Sequence, residues 1–153
     1  TGRPSLKDIP SKDFRTGYID LKQSPKFPFG FGLSYTTFDY SDINISSDKL
    51  SKGGVVEVSL IVKNTGDFDG EEVVQLYIRD CVASLVRPMK ELKDFKKITL
   101  KSGESKKVTF KIDEQKLAFY NEKLEWVAEP GKFNIMIGSS SADIRQQTVL
   151  YFE

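Results

Sequence analysis

The sequence predicts an all-β fold, a sandwich of two antiparallel sheets with about seven short strands, behind an irregular N-terminal extension. Three observations predict it. Apolar and polar residues alternate with a period of two in several runs after Thr36. Turn-forming residues, chiefly glycine with asparagine, aspartate or proline, separate those runs. One stretch, Asp113–Tyr120, has the pattern of a helix, with Asp113 as its candidate N-cap and a length of at most about two turns.

The predicted N-terminal extension covers residues 1–35 and differs in composition from the rest of the chain. It holds four of the six prolines and four of the eleven glycines, and it shows no sustained helical or strand period. We therefore expect an irregular or extended segment. Its stretch FPFGFGLSY alternates large side chains with small residues, so an extended chain would present the large ones on one side. Those large residues are Phe27, Phe29, Phe31, Leu33 and Tyr35.

The first predicted strand lies in TTFDYSDINIS, directly after the extension. Phe38 and Tyr40 have the spacing of residues that enter a core, and the apolar phase then slips between Tyr40 and Ile43. A slip of this kind indicates a β-bulge or a bend in an edge strand.

Several further runs continue the period of two, and each predicts a strand. They are VVEVSLIVKN, EEVVQLYIRD, KKVTFKID, KFNIMIG and QTVLYFE. The turns NTGDFDG, KSGES and EPGK supply glycine where the backbone has to reverse. In the run EEVVQLYIRD one face carries Val74, Leu76 and Ile78, and the opposite face carries Gln75, Tyr77 and Arg79.

This succession of short strands and turns is typical of immunoglobulin-like and fibronectin type III-like sandwiches. The chain has one cysteine, Cys81, so it lacks the disulfide of antibody domains, and the fibronectin-like version is favoured. A β-barrel with a similar number of strands is the alternative architecture.

Charge and hydropathy exclude several classes of partner. The 23 Lys and Arg residues nearly balance the 22 Asp and Glu residues, and the net charge of +1 gives no long-range attraction to nucleic acid or to an anionic membrane. Basic residues are concentrated between Arg87 and Lys107, where we expect a solvated strand face and a lysine-rich turn. No stretch has the apolar length of a membrane span, and the first residues lack the pattern of a signal peptide.

No catalytic, cofactor-binding or metal-binding residue can be assigned. The chain has no histidine, which excludes a Ser-His-Asp or Cys-His apparatus within it, and one cysteine is too few for a typical zinc site. The stretch DFDGEE begins like a calcium loop but lacks the further ligands of an EF-hand, so we expect a tight turn. Glycoside hydrolysis needs two carboxylates that face each other. We expect the acids of the strand regions to be solvated instead: Glu71, Glu72, Asp80 and Asp94.

The aromatic residues leave carbohydrate binding as an alternative function. Flat aromatic rings stack on sugar rings, although aromatics at strand spacing more often fill the core or pair across strands. The residues that could be exposed for this purpose are Phe68, Tyr120, Trp126 and Tyr151.

The residues that connect the strands resemble a known family. FPFGFGLSYTTFDYS closely resembles the signature that introduces the C-terminal fibronectin type III-like domain of family 3 glycoside hydrolases. The resemblance continues through VKNTGDFDGEEVVQLYIRD, ASLVRPMKELKDFKKITLKSGESKKVTFKID and EPGKFNIMIGSSS, in that order. The version RPMKELKDFKKI is most similar to bacterial β-glucosidases that are periplasmic or secreted. Asp94 and Cys81 depart from the family pattern, which often has glycine and proline at these positions.

The resemblance implies that this chain is one part of a larger enzyme. Family members carry a barrel domain, an α/β sandwich domain and then this domain, and most are retaining hydrolases that release glucose or related sugars. Their catalytic residues belong to the first two domains, so none is assigned here. Residues 1–35 would be the linker and the tail of the preceding α/β sandwich domain, and residues 36–153 the fibronectin type III-like domain. The residues expected to contact the other domains are Phe27, Phe29, Phe31, Leu33, Tyr35, Arg87 and Pro88.

The sequence thus predicts a non-catalytic module that packs on the catalytic domains of a β-glucosidase-type enzyme and stabilises them. Two alternatives are kept. One is a carbohydrate-binding module that holds polymeric substrate, and the other is a self-association domain in which the aromatic stretch joins two copies. We expect no cofactor, no nucleic acid and no membrane among its partners.

Overall fold

A computed structural model describes residues 24–153, and the predictions for residues 1–23 lie outside the described residues. The described chain is almost entirely β-structure, with one short helix, as predicted. In chain order the elements are β1 (Phe38–Ile45), β2 (Lys49–Leu50), β3 (Val55–Asn64), β4 (Gly70–Asp80), β5 (Glu91–Leu100), β6 (Ser105–Asp113), α1 (Glu114–Leu117), β7 (Phe119–Tyr120), β8 (Trp126–Val127), β9 (Gly131–Gly138) and β10 (Ile144–Phe152).

The strands form two main sheets and a small ribbon. One sheet has the order β1-β3-β6, the other has the order β2-β10-β9-β4-β5, and β7 pairs with β8 alone. Neighbouring strands are antiparallel, except that the short β2 runs parallel to β10. Both main sheets contribute residues to one hydrophobic core, which is the sandwich arrangement that the strand pattern predicted.

The core follows the period of two in the sequence. In β3 the alternate residues Val56, Val58, Leu60 and Val62 are all buried, and they pack with alternate residues of β4, β6 and β9. Burying an aliphatic side chain of this size contributes roughly 1.5–3 kcal/mol relative to leaving it exposed. The residues that meet them are Phe110 and Ile112 of the neighbouring β6 and, from the facing sheet, Val74, Leu76, Ile78, Phe133 and Ile135.

The phase slip in β1 is a β-bulge, as predicted. The pairing of β1 with β3 shifts between Ser41 and Asn44, and Asp42 within the bulge has a φ of 54°. The extra residue turns the strand so that Tyr40 and Ile43 both face the core.

The predicted helix and its N-cap are confirmed, but the helix covers only Glu114–Leu117, and Phe119–Tyr120 at the end of the predicted stretch form β7. The Asp113 side chain accepts a hydrogen bond from the backbone N–H of Lys116 at 3.1 Å, which is the geometry of an N-cap. The helix ends after Leu117 because Ala118 is extended, with a ψ of 155°.

The basic stretch includes β5 and β6, which follow each other in sequence and are edge strands of different sheets. Each has only one strand partner, and most of their lysines, including Lys97 and Lys107, are exposed. Lysines on an edge disfavour pairing with a strand of another molecule, so this stretch needs no nucleic-acid ligand to explain it. Within residues 24–153, no helix has the length and hydropathy needed to cross a membrane.

Candidate docking surface

The aromatic segment, Phe27–Tyr35, lies on the surface of the described chain. Its large side chains are between 45% and 98% exposed. The segment is not extended throughout: the Phe31 N–H donates to the Pro28 carbonyl at 3.0 Å, and this turn brings the Phe27 and Phe31 rings to 5.2 Å between centroids. The prediction that an extended chain would present the large side chains on one side is therefore wrong at this turn. The exposure of these side chains agrees with the spacing.

Gln75 fastens the aromatic segment to the outer face of the five-stranded sheet. Its buried side-chain amide donates to the Gly30 carbonyl at 3.0 Å and to the Ser139 carbonyl at 2.6 Å, and its oxygen accepts from the Tyr77 hydroxyl at 2.5 Å. The Ser141 N–H adds a bond to the Phe29 carbonyl at 2.9 Å. The alternation in EEVVQLYIRD placed Gln75 and Tyr77 away from the core correctly. It did not reveal that they are buried there.

The position occupied by Gly30 requires glycine for two reasons. Its φ is +78°, a conformation that side chains disfavour, and a Cβ atom there would lie 2.1 Å from Oε1 of Gln75. The glycine therefore permits the close approach on which the Gln75 hydrogen bond depends.

Replacing Gln75 with leucine should release the aromatic segment without unfolding the domain. Leucine keeps much of the buried volume but leaves the Gly30 and Ser139 carbonyls without their donor. We expect the Ser141 amide to exchange with solvent at least about tenfold faster by NMR hydrogen exchange, because local opening becomes easier. Gln115→Leu is the matched control, since that side chain bonds Trp126 on the β7–β8 ribbon. Unchanged Ser141 exchange would contradict the assigned role of Gln75.

A groove of about 630 Å³ runs between the aromatic segment and the sheet. Its floor includes Val73 of β4 and Phe95 of β5, and both side chains are exposed on the outer face. Its wall includes Phe29, Phe31 and Leu33. The aromatic segment and the sheet thus form one largely apolar surface, which we call the docking surface.

Glu72 forms the polar end of this groove. β4 pairs with β9 only from Gln75 onward, and Glu72 lies in the first part of β4, which pairs with β5 alone and lines the groove. The Tyr40 hydroxyl donates to its carboxylate at 2.8 Å. Burial, opposed by this hydrogen bond and by the charge of Arg145, raises the pKa of Glu72 above its ordinary value. The expectation that Glu72 is a solvated residue is therefore wrong, because β1 covers it.

Arg145 lies near Glu72 but has other partners. Its guanidinium bonds the Asp143 carboxylate at 2.8 and 3.0 Å, donates to the Phe38 carbonyl at 2.6 Å and lies over the Tyr40 ring. Glu71, on the groove's rim, is paired with Lys97 at 2.6 Å. Glu72 thus differs from its neighbour in having no ion-pair partner within residues 24–153.

Arg87 and Pro88 have different environments. The Arg87 side chain is only 10% exposed; it bonds Glu91 and lies 4.2 Å from the Phe119 ring centroid. Through these contacts Arg87 holds the loop before β5 from its buried side. Pro88 is exposed, as are Val86 and Met89 on either side.

Two buried atoms beside this loop lack hydrogen bonds within the described chain: Nη1 of Arg87 and Oδ2 of Asp80. Burial raises the pKa of Asp80 above its ordinary value. Asp80 is therefore a partly buried residue at the end of β4, and the expectation of a solvated surface acid is wrong here as well.

The β7–β8 ribbon carries a further pair of exposed aromatic side chains. Within residues 24–153, no group of three His, Cys, Asp or Glu side chains is placed to hold a metal ion. Tyr120 and Trp126 pair across the β7–β8 ribbon with their ring centroids 4.9 Å apart, and both are partly exposed. Their planes are tilted by 59°, and the Trp126 N–H donates to Gln115 at 2.9 Å.

Comparison with known proteins agrees with this architecture. The family described as "Fibronectin type III-like domain" matches residues 72–141. The periplasmic β-glucosidase of Salmonella typhimurium is 48% identical over 146 residues, which are 95% of this chain and 19% of that enzyme. The matched region is the C-terminal part of such enzymes.

Solved structures give the same match in three dimensions. The β-glucosidase from Listeria innocua in complex with glucose superposes with a TM-score of 0.85 and 38% identity, over 99% of this chain and 21% of that one. The Bifidobacterium adolescentis GH3 β-glucosidase gives a TM-score of 0.74 and 41% identity, over 82% of this chain and 18% of that one. The chain thus spans about a fifth of the length of its relatives. With its sandwich fold and the family match, the chain is a fibronectin type III-like domain, and it matches the C-terminal region of family 3 β-glucosidases.

Proposed function

We propose that this chain is a non-catalytic module that packs on the catalytic domains of its parent enzyme and stabilises them. The observation that carries the proposal is the docking surface, where large apolar side chains stay exposed beside a groove. Continuous exposed apolar surfaces usually mark a binding site for another protein surface or a ligand. The residues proposed to make the contact are Phe27, Phe29, Phe31, Leu33, Tyr35 and Pro88, with Arg87 supporting the loop that carries Pro88.

The parent polypeptide is proposed to be a retaining glycoside hydrolase that acts on terminal β-D-glucosyl or related residues. The β-glucosidase names of the relatives support this, and so does the share of their length that lies outside the match. We further propose a bacterial, periplasmic or secreted location, which the periplasmic Salmonella relative supports. Residues 1–35 are proposed to be the connection from the preceding domain.

The isolated chain is expected to fold and to show no hydrolysis of a chromogenic β-glucoside above a buffer blank. The reason is that no pair of opposed carboxylates is assigned to it, whereas the reaction requires such a pair. Activity that copurifies with the chain and disappears when one of its own acids is replaced would refute the non-catalytic assignment.

A carbohydrate-binding role is the second candidate, and the exposed Tyr120–Trp126 pair favours it. The tilt between the two rings argues against a flat platform, since only one ring face at a time could lie along a sugar chain. Calorimetry of the chain with cello-oligosaccharides, laminarin and xylan tests it, with Trp126→Ala as the matched variant. Binding that this substitution abolishes would establish the role, and no heat with any of the three would remove it.

Self-association is the third candidate, because a second copy could cover the same docking surface. Light scattering of the chain with and without residues 1–35 distinguishes self-association from docking on another domain. A monomer in both forms removes this candidate and leaves domain docking.

A further inference from the structure

We propose that the Glu72 carboxylate is the docking surface's contact for a lysine or arginine side chain on the adjoining domain of the parent polypeptide. The inference rests on the proposed docking function and names the chemistry of the partner at one end of the groove.

The Glu72 carboxylate has unfilled hydrogen-bonding capacity. An ionised carboxylate can accept about four hydrogen bonds, and among residues 24–153 only the Tyr40 hydroxyl donates to it. The nearby cation does not complete the site, since Arg145 pairs with Asp143 and the Phe38 carbonyl. Glu72 is therefore a half-buried acceptor that lines an open groove.

The burial of Glu72 has a free-energy cost in the isolated chain. Burial makes the charged form of Glu72 unfavourable, as the raised pKa shows. Because the folded pKa lies above the unfolded one, the charged form of Glu72 is less favourable in the folded chain, and burial of this carboxylate opposes folding as the pH rises above the unfolded pKa. A polar group that destabilises its own domain is typical of a site that serves another purpose.

The groove and the Glu72 carboxylate together are complementary to a partner surface that carries both an apolar and a cationic side chain. The apolar part of the groove suits an apolar side chain, and the carboxylate at its end suits a cation that would replace the lost hydration. Glu71 cannot serve in this way, because Lys97 already neutralises it and lowers its pKa. Of these two adjacent carboxylates, Glu71 therefore has an ion-pair partner within residues 24–153 and Glu72 does not.

The test compares Glu72→Gln with Glu71→Gln in two settings. One is the isolated chain. The other is the Salmonella enzyme with its matching region replaced by this chain, which the 48% identity favours as a compatible graft. Glutamine at position 72 keeps an acceptor for the Tyr40 hydroxyl but carries no charge. The measurement is the thermal unfolding midpoint at pH 7.

We expect Glu72→Gln to raise the midpoint of the isolated chain by about 2 °C and to lower that of the grafted enzyme by about 5 °C. Glu71→Gln should shift both by less than about 1 °C. Shifts of the same sign for Glu72→Gln in both settings would overturn the proposal, as would equal effects of the two substitutions. A fall in the isolated chain alone would also overturn it, whether or not the graft folds.

A second set of substitutions distinguishes failure of the cation contact from failure of docking. If Phe29→Ala with Phe31→Ala destabilises the grafted enzyme while Glu72→Gln does not, docking stands and the cation contact fails. If the grafted enzyme is indifferent to all of these substitutions, the docking function fails.

Discussion

Replacement of Asn64 by alanine is expected to destabilise the isolated chain by about 3–5 kcal/mol, a large part of the stability of a domain of this size. Asn64 is fully buried at the end of β3. Its oxygen accepts from the Thr36 hydroxyl at 2.6 Å and the Gly66 N–H at 3.1 Å. Its amide donates to the carbonyls of Phe68 at 2.8 Å and Leu100 at 3.2 Å.

The size of the effect follows from what alanine would leave behind. Four polar groups on three segments would lose a partner, and each buried, unsatisfied group costs roughly 1–3 kcal/mol. The loss would also remove the hydrogen bond that ties Thr36, which directly follows the aromatic segment, to the end of β3. Urea unfolding of the chain measures the change, and Asn44→Ala, at an exposed position of β1, serves as the control, with an expected change below about 0.5 kcal/mol. A loss below about 1 kcal/mol for Asn64→Ala would contradict this account.

The double substitution of Phe29 and Phe31 by alanine is expected to act on the assembled enzyme and to spare the isolated chain. Both side chains are exposed in this chain, so their removal takes little from its own core. In a docked enzyme they would be buried anchors, and such anchors contribute about 2 kcal/mol or more each. We therefore expect the grafted Salmonella enzyme to lose about 5 °C or more of thermal midpoint, before its KM for a glucoside changes.

Two controls accompany the double substitution in the grafted enzyme. The same double variant of the isolated chain should keep its midpoint within about 2 °C. Phe68→Ala, which removes another exposed aromatic ring in a turn, should leave the grafted enzyme unaffected. A change in KM without a loss of stability would favour a ligand-binding stripe over a docking surface.

The strands, their inward faces, the bulge and the helix cap were predictable because each follows from a local rule. The period of two in β3 and β4 places the core residues, and Asp113 caps the helix through a residue three positions away. The division of the chain at residue 35 and the contact residues themselves stay predictions.

The features that the sequence did not reveal all depend on distant segments. Gln75 is buried where the turn at Pro28–Phe31 reaches the outer face, through a Gly30–Gln75 hydrogen bond between residues 45 positions apart. The buried Tyr77 hydroxyl in turn donates to Gln75. Glu72 is half-buried because Tyr40 of the other sheet lies against it. Local polarity describes the face on which a residue lies, but it does not reveal what covers that face.

The central claim is that the aromatic segment and the outer face of β4 and β5 contact the catalytic domains. Hydroxyl-radical footprinting with mass spectrometry tests it directly, by comparing side-chain oxidation in the isolated chain and in the grafted enzyme. We expect Phe29, Phe31 and Phe95 to become protected in the grafted enzyme, while Tyr120 and Trp126 remain as reactive as before. Unchanged oxidation of the three phenylalanines, with protection of Tyr120 and Trp126 instead, would contradict it.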